Sequence, residues 1–166
     1  MTDKVYNVLF LCTGNSARSI MAEALMTTMG QGRFKGYSTG SFPTGTVNPL
    51  AIEQIQTTDY PLTALRSKSW DEFAAADAPV MDFIITVCDN AAGEVCPVWP
   101  GRPVTTHWGF EDPAAVTGSD EAKRAAFHKV FREIMSCINS FVSLPAHILE
   151  KNTIHQELKA IRDQLN

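Results

Sequence analysis

The sequence is short of positive charge. Its 14 lysine and arginine residues are outnumbered by 18 aspartate and glutamate residues, which gives a formal net charge of -4 at pH 7. Nucleic acids and anionic membrane surfaces are bound through basic patches, so this balance argues against both as partners. An anionic substrate must therefore be captured by a few local groups and not by the overall charge of the protein.

Long apolar stretches and a targeting segment are also missing. No apolar run approaches the roughly 18 residues of a membrane span, and no basic segment followed by an apolar one opens the chain. We therefore expect a cytoplasmic protein without a membrane partner. The 166 residues are enough for one domain with a substantial core and too few for two of typical size.

Cysteine is scarce as well, with four residues in the chain. In a cytoplasmic protein, four unevenly spaced cysteines do not form a disulfide scaffold, and catalytic, metal-binding or inert roles are left. Cys137 falls on the apolar face of a predicted helix, so we expect it to be buried and inert. The other three are Cys12, Cys88 and Cys96, and each lies at the end of a predicted strand or on a loop.

The most informative stretch of the chain surrounds the first cysteine. It reads Cys12-Thr13-Gly14-Asn15-Ser16-Ala17-Arg18-Ser19 and stands between an apolar run and an amphipathic segment. A loop between a strand and a helix N-terminus directs backbone N–H groups at one point, and the helix dipole adds partial positive charge there. The glycine allows the tight curvature of such a nest. The whole stretch from residue 13 to residue 19 is therefore predicted to bind an oxyanion.

Cys12 and Arg18 give this loop its predicted chemistry. The planar guanidinium of Arg18 can hold two oxygens of a tetrahedral oxyanion at once. Amide donors and this guanidinium are expected to lower the pKa of the Cys12 thiol from about 8.5 into the range of roughly 3.5 to 7.5. The pattern predicts a thiolate nucleophile aimed at a phosphate-shaped group.

Apolar runs that alternate with segments of helical periodicity predict a single α/β domain with a parallel sheet. Cys12 directly follows the first apolar run, and Cys88 follows the third. In such sheets, ligands bind beyond the carboxyl ends of the strands, where the strand order reverses. The predicted strands are 5–11, 34–38, 81–87 and 104–107. The predicted helices are 19–29, 48–57 with Asn48 as its cap, 69–76 with Ser69 as its cap, 119–142 and one after Pro145. Residues 88–103 are predicted to form a long loop.

The loop from Cys12 to Ser19, continued by Met21-Ala22-Glu23-Ala24, resembles the phosphate loop of the low-molecular-weight protein tyrosine phosphatase superfamily. Its interior is more similar to that of the arsenate reductases within that superfamily. The likeness covers most of residues 5–142. It implies a four-stranded parallel sheet in a three-layer α/β/α fold. We expect residues 1–143 to form the phosphatase-like domain and residues 144–166 to be a helical extension of it.

Two further cysteines near the nucleophile favour electron transfer over simple hydrolysis, since a phosphatase needs only one thiol. If Cys12 forms an adduct with arsenate, Cys88 can attack the Cys12 sulfur, release arsenite and leave a disulfide. Cys96 then attacks Cys88 and moves the disulfide to where thioredoxin or glutaredoxin can reduce it. In the arsenate reductases that this sequence resembles, the three thiols react in this order. No bound cofactor is expected, and direct attack by glutathione is the alternative route.

A zinc site is the competing interpretation of the same cysteines. Cys88, Cys96 and His107 are zinc-ligand types, but their spacing lacks the C-x₂₋₄-C element of structural zinc sites. We therefore predict no metal in this cluster.

Potassium binding is a second metal hypothesis, raised by the resemblance. Some members of the family bind this ion near the loop through the equivalents of Asn15 and Glu23. A further acidic ligand is expected near Ser69, where this sequence has Trp70. We therefore do not predict a bound potassium ion.

The segment from His107 to Ala114 resembles the acid loop of the same family, in which an aspartate precedes a proline. Pro113 restricts Asp112 to an extended conformation, and Asp112 can protonate the oxygen that leaves the tetrahedral centre. A helix N-cap is the alternative role, and the two are compatible. Phosphatases of the family usually have a tyrosine after this proline, whereas Ala114 and Ala115 stand here, which favours a small inorganic oxyanion.

The prediction is an arsenate reductase in which Cys12 is the nucleophile, Arg18 clamps the oxyanion and Asp112 donates the proton. Asn15 and Ser19 are expected to shape the loop and hydrogen-bond the thiolate, as their equivalents do in the family; a turn residue and a helix cap are their alternative roles. A phosphatase that works through a phosphocysteine is the first alternative function. A non-catalytic oxyanion-binding or redox-sensing regulator is the second.

Overall fold

A computed structural model describes residues 4–75, 77–88 and 103–165 of the chain. Its centre is a parallel four-stranded sheet in the order β2-β1-β3-β4. The chain leaves β1 for β2 on one side and later returns to β3 on the other, so the strand order reverses beside β1. The strands are β1 Tyr6–Cys12, β2 Phe34–Gly40, β3 Phe83–Thr86 and β4 Val104–His107.

Strand β1 is apolar because both of its faces are covered. Val8 and Phe10 belong to the main core, whereas Leu9 and Leu11 belong to a smaller cluster on the opposite face of the sheet. Side chains alternate between the two faces of a strand, so a nearly continuous apolar run is what a central strand requires. The predicted parallel sheet and its place in a single α/β domain are confirmed.

Helices lie on both faces of this sheet, and two of their predicted starts are visible in the capping hydrogen bonds. Asn48 accepts a hydrogen bond from the Leu50 N–H at 2.9 Å, and Ser119 accepts one from the Ala122 N–H at 3.1 Å. The helices are α1 Arg18–Met29, α2 Pro49–Ile55, α3 Asp71–Ala74, α4 Asp120–Val142, α5 Ala146–Leu149 and α6 Ile154–Asp163, with short 3-10 turns at Leu62–Ala64 and Pro113–Ala115.

The predicted capping hydrogen bond of Ser69 is present, since its Oγ accepts from the Asp71 N–H at 3.2 Å, but the helix is shorter than predicted. Helix α3 begins at Asp71, with Trp70 as the residue before it. The backbone of Ser69 also forms an isolated parallel bridge with Gly40, at the end of β2. Trp70 already has helical backbone angles, with φ of -62° and ψ of -18°, so the chain changes from extended to helical directly after this bridge.

The C-terminal segment contains two helices where one was predicted. Four of its apolar residues are buried in the main core: Leu149, Ile154, Leu158 and Ile161. Trp108 is fully buried and donates its Nε1–H to the Leu158 carbonyl at 2.8 Å. Helix α6 therefore packs against the segment that follows β4. No helix in the described ranges is long and apolar enough to cross a membrane.

Candidate active site

The site lies where the strand order reverses, at the carboxyl ends of β1 and β3. Cys12 is the last residue of β1, and Cys88 follows β3 by two residues. Pairing of the two strands continues beyond β3, since the Val87 N–H donates to the Leu11 carbonyl at 2.9 Å. A cavity of about 260 Å³ opens here and is lined by Cys12, Thr13, Gly14, Ser16, Ala17, Arg18, Thr44, Cys88, Asp112 and Ala114.

The loop after Cys12 has its carbonyl groups tied away from this cavity. The backbone N–H groups of residues 42, 44 and 48 donate to the carbonyls of Thr13, Gly14 and Ser16 at 3.0, 3.0 and 2.8 Å. Helix α1 has no side-chain cap at its start and no acidic residue in its first turn. Among the described hydrogen bonds, none uses an amide of residues 14–18 as donor. These amides are available to an anion, as the predicted nest requires.

Asn15 holds the centre of the loop in a left-handed turn, with φ of 47°. It is fully buried, its Oδ1 accepts from the Lys68 backbone N–H at 2.8 Å, and its Nδ2 donates to the Ser19 Oγ at 2.9 Å. The amide orientation follows from the Lys68 N–H, which can only donate. Since the Ser19 oxygen is the acceptor in this bond, the hydrogen of its hydroxyl is directed elsewhere.

Behind Asn15 lies a buried polar cluster that the sequence did not reveal. Ser38 donates its hydroxyl to the Glu23 Oε1 at 2.6 Å, Tyr60 donates to the other oxygen, and the Lys68 Nζ lies 3.5 Å from Oε1. Burial lowers the pKa of Lys68, against the raising effect of Glu23. Burial also raises the pKa of Tyr60, and the Glu23 carboxylate adds to the rise. The Lys68 ammonium thus lies close to the Glu23 carboxylate behind the phosphate loop.

Arg18 is held from the segment that follows β4. Its Nη1 donates to the Phe110 carbonyl at 2.9 Å, and its Nη2 lies 3.8 Å from the Asp112 Oδ2. Only 14% of the Arg18 side chain is exposed, compared with 47% for Asp112. The guanidinium is therefore fixed at the cavity, while the carboxylate remains open to solvent.

The two carboxylate oxygens of Asp112 have different surroundings, which correspond to its two predicted roles as a helix cap and as a proton donor. Oδ1 accepts from the Ala114 N–H at 3.0 Å and caps the 3-10 turn Pro113–Ala115. Oδ2 is the oxygen near Arg18. The cap is thus present, and it leaves one carboxylate oxygen for a proton-transfer role.

The two cysteines of the cavity are buried free thiols that influence each other. A hydrogen bond with Cys88 and burial raise the pKa of Cys12, while the Arg18 charge and the Thr13 backbone N–H lower it. The predicted low pKa of Cys12 is therefore not found, since burial disfavours the thiolate and two neighbouring sulfurs cannot both ionise easily. Thr13 also contacts this pair, with its Oγ1 3.7 Å from the Cys88 Sγ.

Of the two remaining cysteines, Cys137 does not line the cavity and Cys96 lies outside the described residues. Cys137 is 1% exposed, and burial raises the pKa of its thiol to about 12, which agrees with the predicted buried position. Cys96 lies outside the described residues, so both its resolving role and the zinc hypothesis stay untested. His107 shares a hydrogen bond of 2.6 Å with Thr86. The described ranges contain no group of three metal-ligand side chains.

Similarity to known proteins agrees with this geometry. The sequence model of the family described as low molecular weight phosphotyrosine protein phosphatase matches residues 7–158. The arsenate reductase of Halalkalibacterium halodurans is 37% identical over 134 residues, which cover 81% of this chain and 93% of that protein. Two solved structures that are similar to this chain are also arsenate reductases.

The solved arsenate reductase of Archaeoglobus fulgidus is 29% identical, with a TM-score of 0.61, and the match covers 82% of this chain and 99% of that one. An arsenate reductase in the phosphate-binding state is 28% identical, with a TM-score of 0.60 and coverage of 80% and 96%. The family match spans the cysteine loop, the strands that position it and the aspartate opposite Arg18. The chain therefore belongs to the low molecular weight phosphotyrosine protein phosphatase family.

Proposed function

We propose that the protein is an arsenate reductase that converts arsenate to arsenite with two of its own thiols. The observation that carries this proposal is the presence of Cys12 and Cys88 in one cavity with Arg18. A hydrolase with a cysteine nucleophile needs only one thiol there. The similar proteins described above are arsenate reductases, which supports the same conclusion.

The first step is formation of a bond between the Cys12 sulfur and arsenic. Arsenate is bound by the amides of residues 14–18 and the Arg18 guanidinium, whose two donors match two of its oxygens. Bound arsenate also brings negative charge, which Arg18 and the helix N-terminus offset. The leaving oxygen takes a proton from Asp112 and departs as water. Cys12 gives its thiol proton to an oxygen of the bound arsenate, and the hydroxyl hydrogen of Ser19, which is not used toward Asn15, is available to stabilise the resulting sulfur anion before attack.

The second step is the transfer of two electrons from sulfur to arsenic. Cys88, as a thiolate, attacks the Cys12 sulfur and forms a disulfide with it. The bond between sulfur and arsenic breaks, and its electron pair stays on arsenic, which passes from As(V) to As(III) and leaves as arsenite. The two thiols are thereby oxidised to one disulfide.

Regeneration requires an external dithiol or two thiols that supply two electrons. In our proposal Cys96 attacks Cys88, frees Cys12 and presents a Cys88–Cys96 disulfide to thioredoxin or glutaredoxin. Direct attack by glutathione on Cys88 is the route that does not need Cys96. No bound cofactor takes part in either route.

Phosphate-ester hydrolysis is the second candidate function, and it rests on a different set of residues. Cys12, Arg18 and Asp112 line the cavity and suffice for a phosphocysteine intermediate. Cys88 has no role in that reaction. The two functions therefore differ in what they require of this one residue.

The deciding experiment compares the wild type with Cys88→Ser, using Cys137→Ser as the matched control for loss of a buried thiol. Arsenite release is followed with thioredoxin and with glutathione plus glutaredoxin, and p-nitrophenyl phosphate hydrolysis is followed in parallel. We expect Cys88→Ser to lose multiple-turnover arsenite release and to keep ester hydrolysis. Continued arsenite turnover by Cys88→Ser would overturn the two-thiol mechanism. Turnover with Cys96→Ser separates the two regeneration routes.

A further inference from the structure

The segment 108–112, which carries Asp112, is held on its outer side by helix α6. Trp108 donates to the Leu158 carbonyl at 2.8 Å, and the Arg162 Nε donates to the Gly109 carbonyl at 2.7 Å. The Arg162 guanidinium carbon also lies 5.1 Å from the centre of the Phe110 ring. Three consecutive residues of the segment are thus contacted from one helix.

The inner side of the same segment contacts the active site. The Phe110 carbonyl accepts from the Arg18 Nη1 at 2.9 Å, and the Phe110 N–H donates to the Val87 carbonyl at 3.1 Å. Val87 directly precedes Cys88. Phe110 therefore joins Arg162, through its ring, to the oxyanion clamp and to the strand end that carries the second thiol.

This segment has no regular secondary structure of its own to fix it. Gly109 adds conformational freedom at the residue whose carbonyl Arg162 binds. A hydrogen bond from a charged donor is roughly twice as strong as a neutral one, and a planar guanidinium can donate at its edge while its face lies on an aromatic ring. Arg162 has the chemistry to hold Gly109 and Phe110 in one arrangement.

We propose that Arg162 is a positioning residue of the active site, which acts through Gly109 and Phe110 on the orientation of Arg18 and the placement of Asp112. The Asp112 part of this inference rests on the proposed function, because it takes Asp112 as the proton donor. The Arg18 part concerns oxyanion binding and holds for a reductase and a phosphatase alike. The C-terminal helix is in this way part of the catalytic apparatus and not only of the core.

The first test measures binding of inorganic phosphate by calorimetry, which needs no turnover. We expect Arg162→Ala to weaken binding about tenfold, since small displacements of a positioned group have effects of this order or larger. Arg162→Lys keeps the charge but not the planar fork, so it should weaken binding by a smaller factor, and it is the variant to use should Arg162→Ala not fold. Lys151→Ala, an exposed position just before the same helix that does not line the cavity shared by Arg162 and Gly109, also removes one positive charge and is the matched control, which should bind as the wild type does.

The second test uses hydrolysis of aryl phosphates with good and poor leaving groups. If Arg162 positions Asp112, Arg162→Ala should slow phenyl phosphate more than p-nitrophenyl phosphate, and this difference should vanish in an Asp112→Asn background. A purely structural role would lower the thermal midpoint and leave both phosphate affinity and leaving-group dependence unchanged, and that result overturns the proposal. If the wild type does not turn over arsenate, the reductase assignment is wrong, whereas the phosphate-binding comparison of the Arg162 variants still tests the positioning role.

Discussion

The Lys68 backbone N–H donates to the Asn15 side chain at 2.8 Å, across a separation of 53 residues in the sequence. This bond fixes which end of the Asn15 amide faces Ser19, so the shape of the phosphate loop depends on a distant segment. The same segment carries the buried Lys68 ammonium near Glu23. The anion-binding amides are thus supported by a polar layer beneath them.

Replacing Asn15 should affect both stability and oxyanion binding. Asn15→Ala removes two buried hydrogen bonds and places alanine at φ of 47°, so we expect the free energy of unfolding to fall by about 2 to 3 kcal/mol. Phosphate affinity should fall as well, because the loop amides lose their common orientation. Urea unfolding and calorimetry measure the two effects.

A backbone-matched control exists at Gln31, which is exposed and has φ of 49°. Gln31→Ala also places alanine in this conformation far from the loop, but glutamine already bears the same backbone strain, so stability and phosphate affinity should both stay nearly unchanged. Asn15→Gly removes the hydrogen bonds without the strain. If Asn15→Gly binds phosphate as the wild type does, the hydrogen bonds are not what shapes the loop.

The Glu23 and Lys68 pair should behave as a buried ion pair. Their side chains are 6% and 7% exposed, so Lys68→Met leaves a buried carboxylate unpaired and should destabilise the protein by about 3 to 5 kcal/mol. The double variant Glu23→Gln/Lys68→Met should recover most of this loss. The exposed pair of Arg124 and Glu53 is the control, and Arg124→Met should change stability by less than about 1 kcal/mol. Equal effects at the two pairs would contradict the prediction.

The sequence predicted the parts of the site that depend on local pattern. The apolar run before Cys12, the capping residue Asn48 and the dipeptide of Asp112 and Pro113 are all recognisable within a few residues of chain. The adjacency of β1 and β3 followed from the family resemblance. From this adjacency, the sequence predicted that Cys12 and Cys88 lie at the same edge of the sheet.

The sequence could not predict the parts that depend on distant contacts. Lys68 lies in a polar stretch without periodicity, and its position near Glu23 arises only when β2 and the following segments fold over the loop. Arg162 lies in the tail, where helical periodicity says nothing about which loop is contacted. The raised pKa of Cys12 had no local signal either, because the neighbouring Cys88 sulfur and burial are tertiary effects.

Removal of Cys88 should make the Cys12 thiol more acidic. The hydrogen bond with Cys88 is the largest influence that raises the Cys12 pKa, and its loss leaves Arg18 and the Thr13 amide to favour the thiolate. In Cys88→Ala, the pH midpoint of Cys12 alkylation by iodoacetamide should therefore move to lower pH, with faster reaction at pH 7. Cys137→Ala should leave the midpoint unchanged. A midpoint that stays or rises in Cys88→Ala would show that Cys88 does not suppress ionisation of Cys12.

Substitutions of Asp112 should separate its capping role from its proton-transfer role. Asn in place of Asp112 can still accept the Ala114 N–H but cannot donate a carboxyl proton, so Asp112→Asn should keep stability and lower turnover by about 10² to 10⁴. Asp112→Ala loses both roles and should cost about 1 kcal/mol of stability in addition. Thermal unfolding and steady-state rates on arsenate measure the two quantities. If Asp112→Asn turns over as fast as the wild type, Asp112 is a cap only, and the proton for the leaving oxygen comes from another donor.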